Sequence, residues 1–160
     1  MFIAHLPGAY LAFKAFAPKS LPTTAFIAGM IGSVAPDLDM FWFYLVDNKQ
    51  HHHHDFLTHR PMLWLALFLV FWAIVKLYKP QRWTLIGMSF STGGLIHMAL
   101  DSIAGKISWL WPISDISAPL VVVQATHSHW VASFLSHWTF KVEIVITILA
   151  LLVLIKSRRA

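Results

Sequence analysis

The sequence predicts an all-α fold: a polytopic membrane bundle of about five helices with a polar His/Asp site on one face. Of its 160 residues, 58% are hydrophobic and only 12% are charged, whereas about a quarter are charged in an average soluble domain. The mean hydropathy is +0.64, and the chain contains eight tryptophans. A chain of this length is expected to form one domain, so we interpret 1–160 as a single integral membrane domain.

The N-terminal region contains two short apolar segments, 2–17 and 21–35, which are joined by the turn-forming sequence PKSLP. We expect a helical hairpin that is embedded in the membrane or packed against the other spans. Two interfacial or core helices are the alternative interpretation. The start of the chain has no basic region and no small-residue cleavage site, so we expect no removable signal peptide.

Three later segments have the length and composition of membrane spans. A helix needs about 20 apolar residues to cross roughly 30 Å of hydrocarbon. The segments are 62–79, 83–103 and 141–155, and the last is short enough that we expect it to extend back into the 130s.

The positions of the positive charges predict how the five helices are oriented in the membrane. Although the net charge is +5, the distribution of Lys and Arg between the two faces matters more than the sum. A five-helix path places eight on one face: Lys14, Lys19, Lys76, Lys79, Arg82, Lys156, Arg158 and Arg159. The opposite face has four: Lys49, Arg60, Lys106 and Lys141. The first face is therefore predicted to be cytoplasmic, with the N-terminus outside.

Histidines and aspartates collect on the other face, which is predicted to be extracytoplasmic. His5 opens the first helix, Asp37 and Asp39 close the second, and His97 with Asp101 ends the 83–103 span. Positions far apart in sequence are thus predicted to meet at one depth. Ionisable residues within spans are costly to bury and usually functional.

Two of these motifs have a simpler interpretation. The sequence PDLD (36–39) could be only a turn, because Pro and Asp favour turns, although two carboxylates so close together can bind one cation or bridge two. His97 and Asp101 are four residues apart and lie on one helix face. They could form a structural hydrogen bond rather than bind an ion.

The segment QHHHHDFLTHRP (50–61) carries five histidines before the 62–79 span. Imidazole is the commonest transition-metal ligand, but four consecutive histidines cannot all bind one ion. We expect one or two to be ligands and the others to be exposed or to support a ligand. Because the chain has no cysteine, a His/Asp site for Zn²⁺, Mn²⁺ or Fe²⁺ is expected rather than a thiolate site.

A second group contains His127, His129 and His137, next to Trp130 and Trp138. These residue types are typical of the membrane interface, and a metal or substrate contact is the alternative. The only glutamate, Glu143, could be a base, a partner of a histidine or an ordinary acid at a helix N-terminus.

The order of these motifs resembles the YdjM family, inner-membrane proteins described as metal-dependent hydrolases. The resemblance rests on His5, PDLD (36–39), THRP (58–61), HMALD (97–101), WPIS (111–114) and SHWTFKVE (136–143). It implies a location in the bacterial inner membrane. It also implies metal-site roles for His5, Asp37, Asp39, His59, His97 and Asp101.

One part of the family pattern differs here. The family has His followed by Arg and then Thr-His, but His54 or Asp55 stands at the Arg position, so either His53 or His54 is the matching ligand. Arg60 stands where many members have a small residue.

We therefore expect a metal-dependent hydrolase with one or two divalent ions, zinc first and manganese or iron as alternatives. So many ligands suggest two ions, or one ion with a carboxylate base, for which Asp55 and an aspartate of PDLD such as Asp39 are the candidates. The expected partners are the lipid bilayer and a lipid or phosphoester substrate, without nucleic acid. A metal transporter or sensor and a structural membrane protein are the competing hypotheses.

Overall fold

The computed structural model describes residues 1, 3–78 and 81–159, and these form seven α-helices and no strand. The helices are α1 (His5–Phe16), α2 (Thr23–Gly32), α3 (Asp39–Leu45), α4 (Pro61–Leu77), α5 (Arg82–Asp101), α6 (Trp130–Ser136) and α7 (Trp138–Arg159). The predicted all-α class is confirmed. Phe2 and Lys79, which belong to the predicted segments 2–17 and 62–79, lie outside the described residues.

The helix boundaries follow from the sequence. Pro61 occupies the first turn of α4, where a missing N–H costs no hydrogen bond. At the start of α5, Gln81 and Thr84 form a reciprocal capping box. The predicted turn at PKSLP separates α1 from α2, and α7 begins at Trp138, so its expected extension into the 130s is confirmed.

The helix α5 is the centre of the molecule and packs against α1, α2 and α4, while α7 packs against α1. Its buried residues include Ser89, Ser91 and two adjacent glycines. The Ser91 and Thr92 hydroxyls donate to the carbonyls of Gly87 and Met88, each at 2.8 Å. The helix thus satisfies these hydroxyls internally.

Gly93 and Gly94 allow the helices around α5 to approach closely. A Cβ at Gly93 would lie 2.1 Å from the carbonyl oxygen of Gly29 in α2, and a Cβ at Gly94 would lie 2.1 Å from the Trp64 indole. Trp64 also packs with Met98 and Ile107 in a small buried core. Small residues at such crossings are typical of helix packing in membranes.

The number of membrane crossings stays a prediction. Of the described helices, only α7 is both long and apolar enough to cross by itself, whereas α4 is apolar but shorter. Thr23–Gly32 and Pro36–Leu45 satisfy the criteria together, with a bend of 49° between them. At about 1.5 Å per residue, the 12 residues of α1 and the 10 of α2 are too short to cross alone.

Candidate metal centre

The predicted polar residues meet at one end of the helix bundle, where α1 and α4 begin and α2 and α5 end. One ligand atom each from Asp37, His59, His97 and Asp101 lies within 4.8 Å of the others. His59, His97 and Asp101 are at most 1% exposed, whereas the Asp37 side chain is 38% exposed. We call these four residues the central cluster. Asp37 is the member that solvent can reach.

A backbone carbonyl fixes the orientation of His97. Its Nδ1 donates to the carbonyl oxygen of Ser33 at 2.9 Å, at the end of α2. The Nε2 atom then faces Asp101 Oδ2 at 3.1 Å and His59 Nε2 at 3.4 Å. A histidine held by its outer nitrogen presents the lone pair of the other nitrogen, as metal-ligating histidines do.

Asp39 fixes the orientation of His59 in the same way. The Nδ1 of His59 donates to Asp39 Oδ2 at 2.6 Å, and the Thr58 hydroxyl donates to the same oxygen at 2.5 Å. The other nitrogen of His59 faces Asp37 and Asp101, each at 3.7 Å. Asp39, predicted to be a ligand and a candidate base, therefore stands behind His59 and outside the central cluster.

His5 joins the two carboxylates of the central cluster. Its Nε2 lies 2.9 Å from Asp101 Oδ1, its Nδ1 lies 3.2 Å from Asp37 Oδ2, and its ring stacks on His97 with centroids 3.7 Å apart. The N-terminal ammonium of Met1 also contacts Asp101. The structure thus brings the predicted ligand His5 into contact with the cluster.

Glu143 positions the start of α1 and hence His5. Its fully buried carboxylate accepts hydrogen bonds from the backbone N–H groups of Ile3 at 2.6 Å and Ala4 at 3.1 Å. A carboxylate is favourable at a helix N-terminus, where N–H groups lack partners within the helix. Glu143, a residue of α7, thus supports the start of α1.

The histidine run divides into an exposed half and an inward half. His51 is exposed and lies 2.7 Å from Asp47, and His52 is exposed as well. His53 and His54 form a second group of potential ligands with His59, and His54 Nε2 lies 3.5 Å from Asp101 Oδ2. Both candidates for the family ligand therefore point towards the cluster.

Asp55 is a predicted site residue that contacts no member of the central cluster in the described structure. Its side chain is 60% exposed and lies 4.0 Å from the Arg60 guanidinium. Asp55 is the last residue of the one-turn 3₁₀ helix His53–Asp55, in which His54 is the buried residue, so its carboxylate is left on the outside. The prediction of Asp55 as a general base has no support in this geometry.

The second histidine group makes local contacts outside both groups of potential ligands. His129 Nδ1 accepts the N–H of Val131 at the start of α6. His127 and His137 hydrogen-bond to the hydroxyls of Thr126 and Thr139. These contacts agree with the structural interpretation of this group.

The loop histidines differ in their tendency to carry a proton. Burial lowers the pKa of His59, but hydrogen bonds to Asp37 and Asp39 outweigh it and raise that pKa to about 9. Burial and the neighbouring histidines lower the pKa of His53 to about 3, and burial also lowers the pKa of His54. A cation must therefore displace a proton from His59, whereas His53 offers a free lone pair at neutral pH.

The residues present fit a divalent transition metal. Imidazole nitrogens and carboxylate oxygens are the donors that Zn²⁺, Mn²⁺ and Fe²⁺ share, and His59 and His97 are already oriented by outer partners. Two buried polar atoms, Asp39 Oδ1 and His54 Nδ1, have no hydrogen-bond partner in the part of the chain described. The identity of the ion does not follow from this geometry.

The contact between His97 and the Ser33 carbonyl was not predicted. A backbone acceptor can be supplied by any residue type, so no sequence pattern indicated it. The role of Glu143 was left open between three possibilities, because the partner of a buried acid depends on which helix packs against it.

The fold and the site together define a class: helical membrane proteins with a buried His/Asp cluster that is suited to a metal. The family model of the YdjM inner membrane protein matches residues 1–159. The chain belongs to this family, and the resemblance seen in its motifs is confirmed. No curated protein and no solved structure matches the chain.

Proposed function

We propose that this protein is a metal-dependent hydrolase of the inner membrane that cleaves a phosphoester, with the central cluster as its metal site. The observation that carries the proposal is the meeting of Asp37, His59, His97 and Asp101 in one buried group. A bound divalent ion would polarise the phosphoryl group and make water a better nucleophile near neutral pH.

Different residues of the central cluster would bind the ion and accept the proton. His59, His97 and Asp101 would hold the ion, because they are buried and meet at close range. Asp37 is partly exposed and lies at the solvent side of the cluster, so it takes the place of Asp55 as the candidate that accepts the proton of the attacking water. Its Oδ2 lies 3.2 Å from His5 Nδ1, and this contact holds the carboxylate in place.

A lipid-linked substrate is supported by the connection between α5 and α6. This segment exposes a series of large aliphatic side chains: Leu110, Ile113, Ile116, Leu120 and Val122. It is tied to the end of α5 next to Asp101, since Leu120 and Val121 donate to the carbonyls of Ser102 and Ile103 at 2.9 and 2.8 Å. An apolar surface beside the site is suited to the membrane interface.

Metal transport is the competing function. A carrier needs polar groups that continue across the bilayer, but α4 contains no acidic residue or histidine. The hydroxyls of Ser91 and Thr92 in α5 are bonded to carbonyls of their own helix. The geometry therefore favours the hydrolase.

The hydrolase is tested with purified protein in detergent, incubated with phosphomonoesters, phosphodiesters, lipid phosphates and peptides. We expect hydrolysis of a lipid phosphoester that stops after chelation and returns when Zn²⁺ or Mn²⁺ is added. The His51→Ala variant serves as the control and should keep full activity, because His51 is exposed. Metal-loaded protein that cleaves none of these substrates, but carries metal into vesicles, would favour the transporter.

The site is proposed to face the extracytoplasmic side, since the opposite face has eight Lys and Arg against four. Because the chain contains no cysteine, single cysteines report the topology without background. In cells with a permeabilised outer membrane, Gln50→Cys should react with an impermeant maleimide, and Ser157→Cys should react only after lysis. The reverse pattern would place the site in the cytoplasm.

A further inference from the structure

We propose that His53 and His54 hold a second divalent cation beside the central cluster, and that the Asp101 carboxylate bridges the two ions. This inference rests on the proposed metal site and adds to it the number of ions and the ligands of each. It concerns a pair of histidines that the central cluster does not include.

The number of donors exceeds what one ion takes. A tetrahedral zinc site uses four ligands. The polar end of the bundle offers seven side chains that contact one another: His5, Asp37, His53, His54, His59, His97 and Asp101. Placing this many imidazoles and carboxylates around a single divalent ion would leave buried groups unsatisfied.

His53, His54 and His59 form a group of their own, with ligand atoms within 4.8 Å of one another. His54 is 8% exposed, and its Nε2 faces Asp101 Oδ2 at 3.5 Å. A cation beside His53, His54 and Asp101 would bind nitrogen lone pairs that are otherwise buried next to one another.

The division of ligands follows from the free atoms of the shared residues. His59 can serve only one ion, since its Nδ1 is occupied by Asp39. We assign its Nε2 to the ion of the central cluster, because this atom faces Asp37 and Asp101. Asp101 has two oxygens: Oδ1 lies 2.9 Å from His5, and Oδ2 lies 3.1 Å from His97 and 3.5 Å from His54. Asp101 is thus the residue that reaches donors of both groups, and a shared carboxylate suits ions about 3.5–4 Å apart.

The position of His54 is fixed by the chain that follows α5. A Cβ at Gly105 would lie 2.5 Å from Cε1 of His54, so the backbone of Gly105 lies directly against this imidazole. The glycine allows the ring to remain beside Asp101. Two ions held in this way would clamp both the attacking and the leaving oxygen of a phosphoester.

Metal content per chain tests the proposal. The full-length protein is loaded with Zn²⁺, desalted and measured by elemental analysis. The double variant His53→Ala/His54→Ala is compared with the control His51→Ala, which removes an exposed histidine of the same run. We expect two ions per chain in the unaltered protein and in the control, and one ion in the His53/His54 variant.

The other outcomes separate this proposal from the proposed function. One ion in all three proteins would overturn the second site and leave the hydrolase proposal standing, whereas no ion in the unaltered protein would remove the metal premise of both. Two ions in the His53/His54 variant would also overturn the second site. Should this variant fail to fold, electron paramagnetic resonance of the unaltered protein with two equivalents of Mn²⁺ decides: spin-coupled ions support the proposal, and isolated ions overturn it.

Discussion

The Asp101→Asn variant is expected to lose its metal, with an affinity at least about 100-fold lower than that of the unaltered protein. Even changes to residues that only support a metal ligand cost about 10–100-fold, and Asp101 contacts three imidazoles directly, those of His5, His54 and His97. Asparagine keeps the volume of the side chain, so the loss reports the missing carboxylate rather than a cavity. Competition with a chromophoric chelator measures the affinity.

The matched control for Asp101→Asn is Asp115→Asn. Asp115 is an exposed aspartate in the connection after α5, and its replacement removes the same charge at a distance from the cluster. We expect unchanged affinity in this control. Equal affinities in both variants and the unaltered protein would mean that the ion is held elsewhere, and the assignment of the central cluster would be wrong.

The helices could be predicted because their determinants are local. The apolar segments are separated by PKSLP and by the polar residues before Pro61, and these polar stretches indicate where the chain turns. The structure has helices in all five predicted segments. The meeting of His5, Asp37, His59, His97 and Asp101 at one end followed from the alternating direction of successive helices. Neither argument required knowledge of which helices touch.

The different roles of Asp37 and Asp39 could not be predicted. They are two residues apart, and both are carboxylates of the same motif. The 3₁₀ turn Pro36–Leu38 directs Asp37 to the cluster, while Asp39 begins α3 and reaches the far nitrogen of His59. Which one faces the ligands depends on the position of His59, twenty residues further on, and no local pattern contains this information.

The packing of the helices was beyond the sequence for a related reason. Composition indicated two short apolar segments at the start of the chain, and the structure has helices of 12 and 10 residues there. Composition did not show that the helix richest in Ser and Gly, α5, is the one that the others surround. A helix covered by other helices needs less apolar surface of its own, so its mean hydropathy does not indicate its central position in the bundle.

The closeness of α2 and α5 predicts that Gly93→Ala is strongly destabilising. A Cβ at this position would lie 2.1 Å from the carbonyl oxygen of Gly29 and 2.7 Å from the backbone N of Ser33. Backbone atoms of a helix cannot rotate away as a side chain can, so the two helices must separate. We expect a loss of about 2 kcal/mol or more, which corresponds to a fall in Tm of about 4–8 °C for a chain of this size.

Gly8→Ala is the matched control, because its Cβ would meet only the Cδ1 end of the Leu100 side chain, at 2.8 Å. Alanine is better than glycine within a helix by about 1 kcal/mol, so this variant should be nearly neutral while Gly93→Ala loses stability despite the same gain. The Ser33 carbonyl that holds His97 belongs to the displaced end of α2, so Gly93→Ala should weaken metal binding as well. An unchanged Tm in Gly93→Ala would show that α2 and α5 cross at a greater distance, and the orientation of His97 would then need another cause.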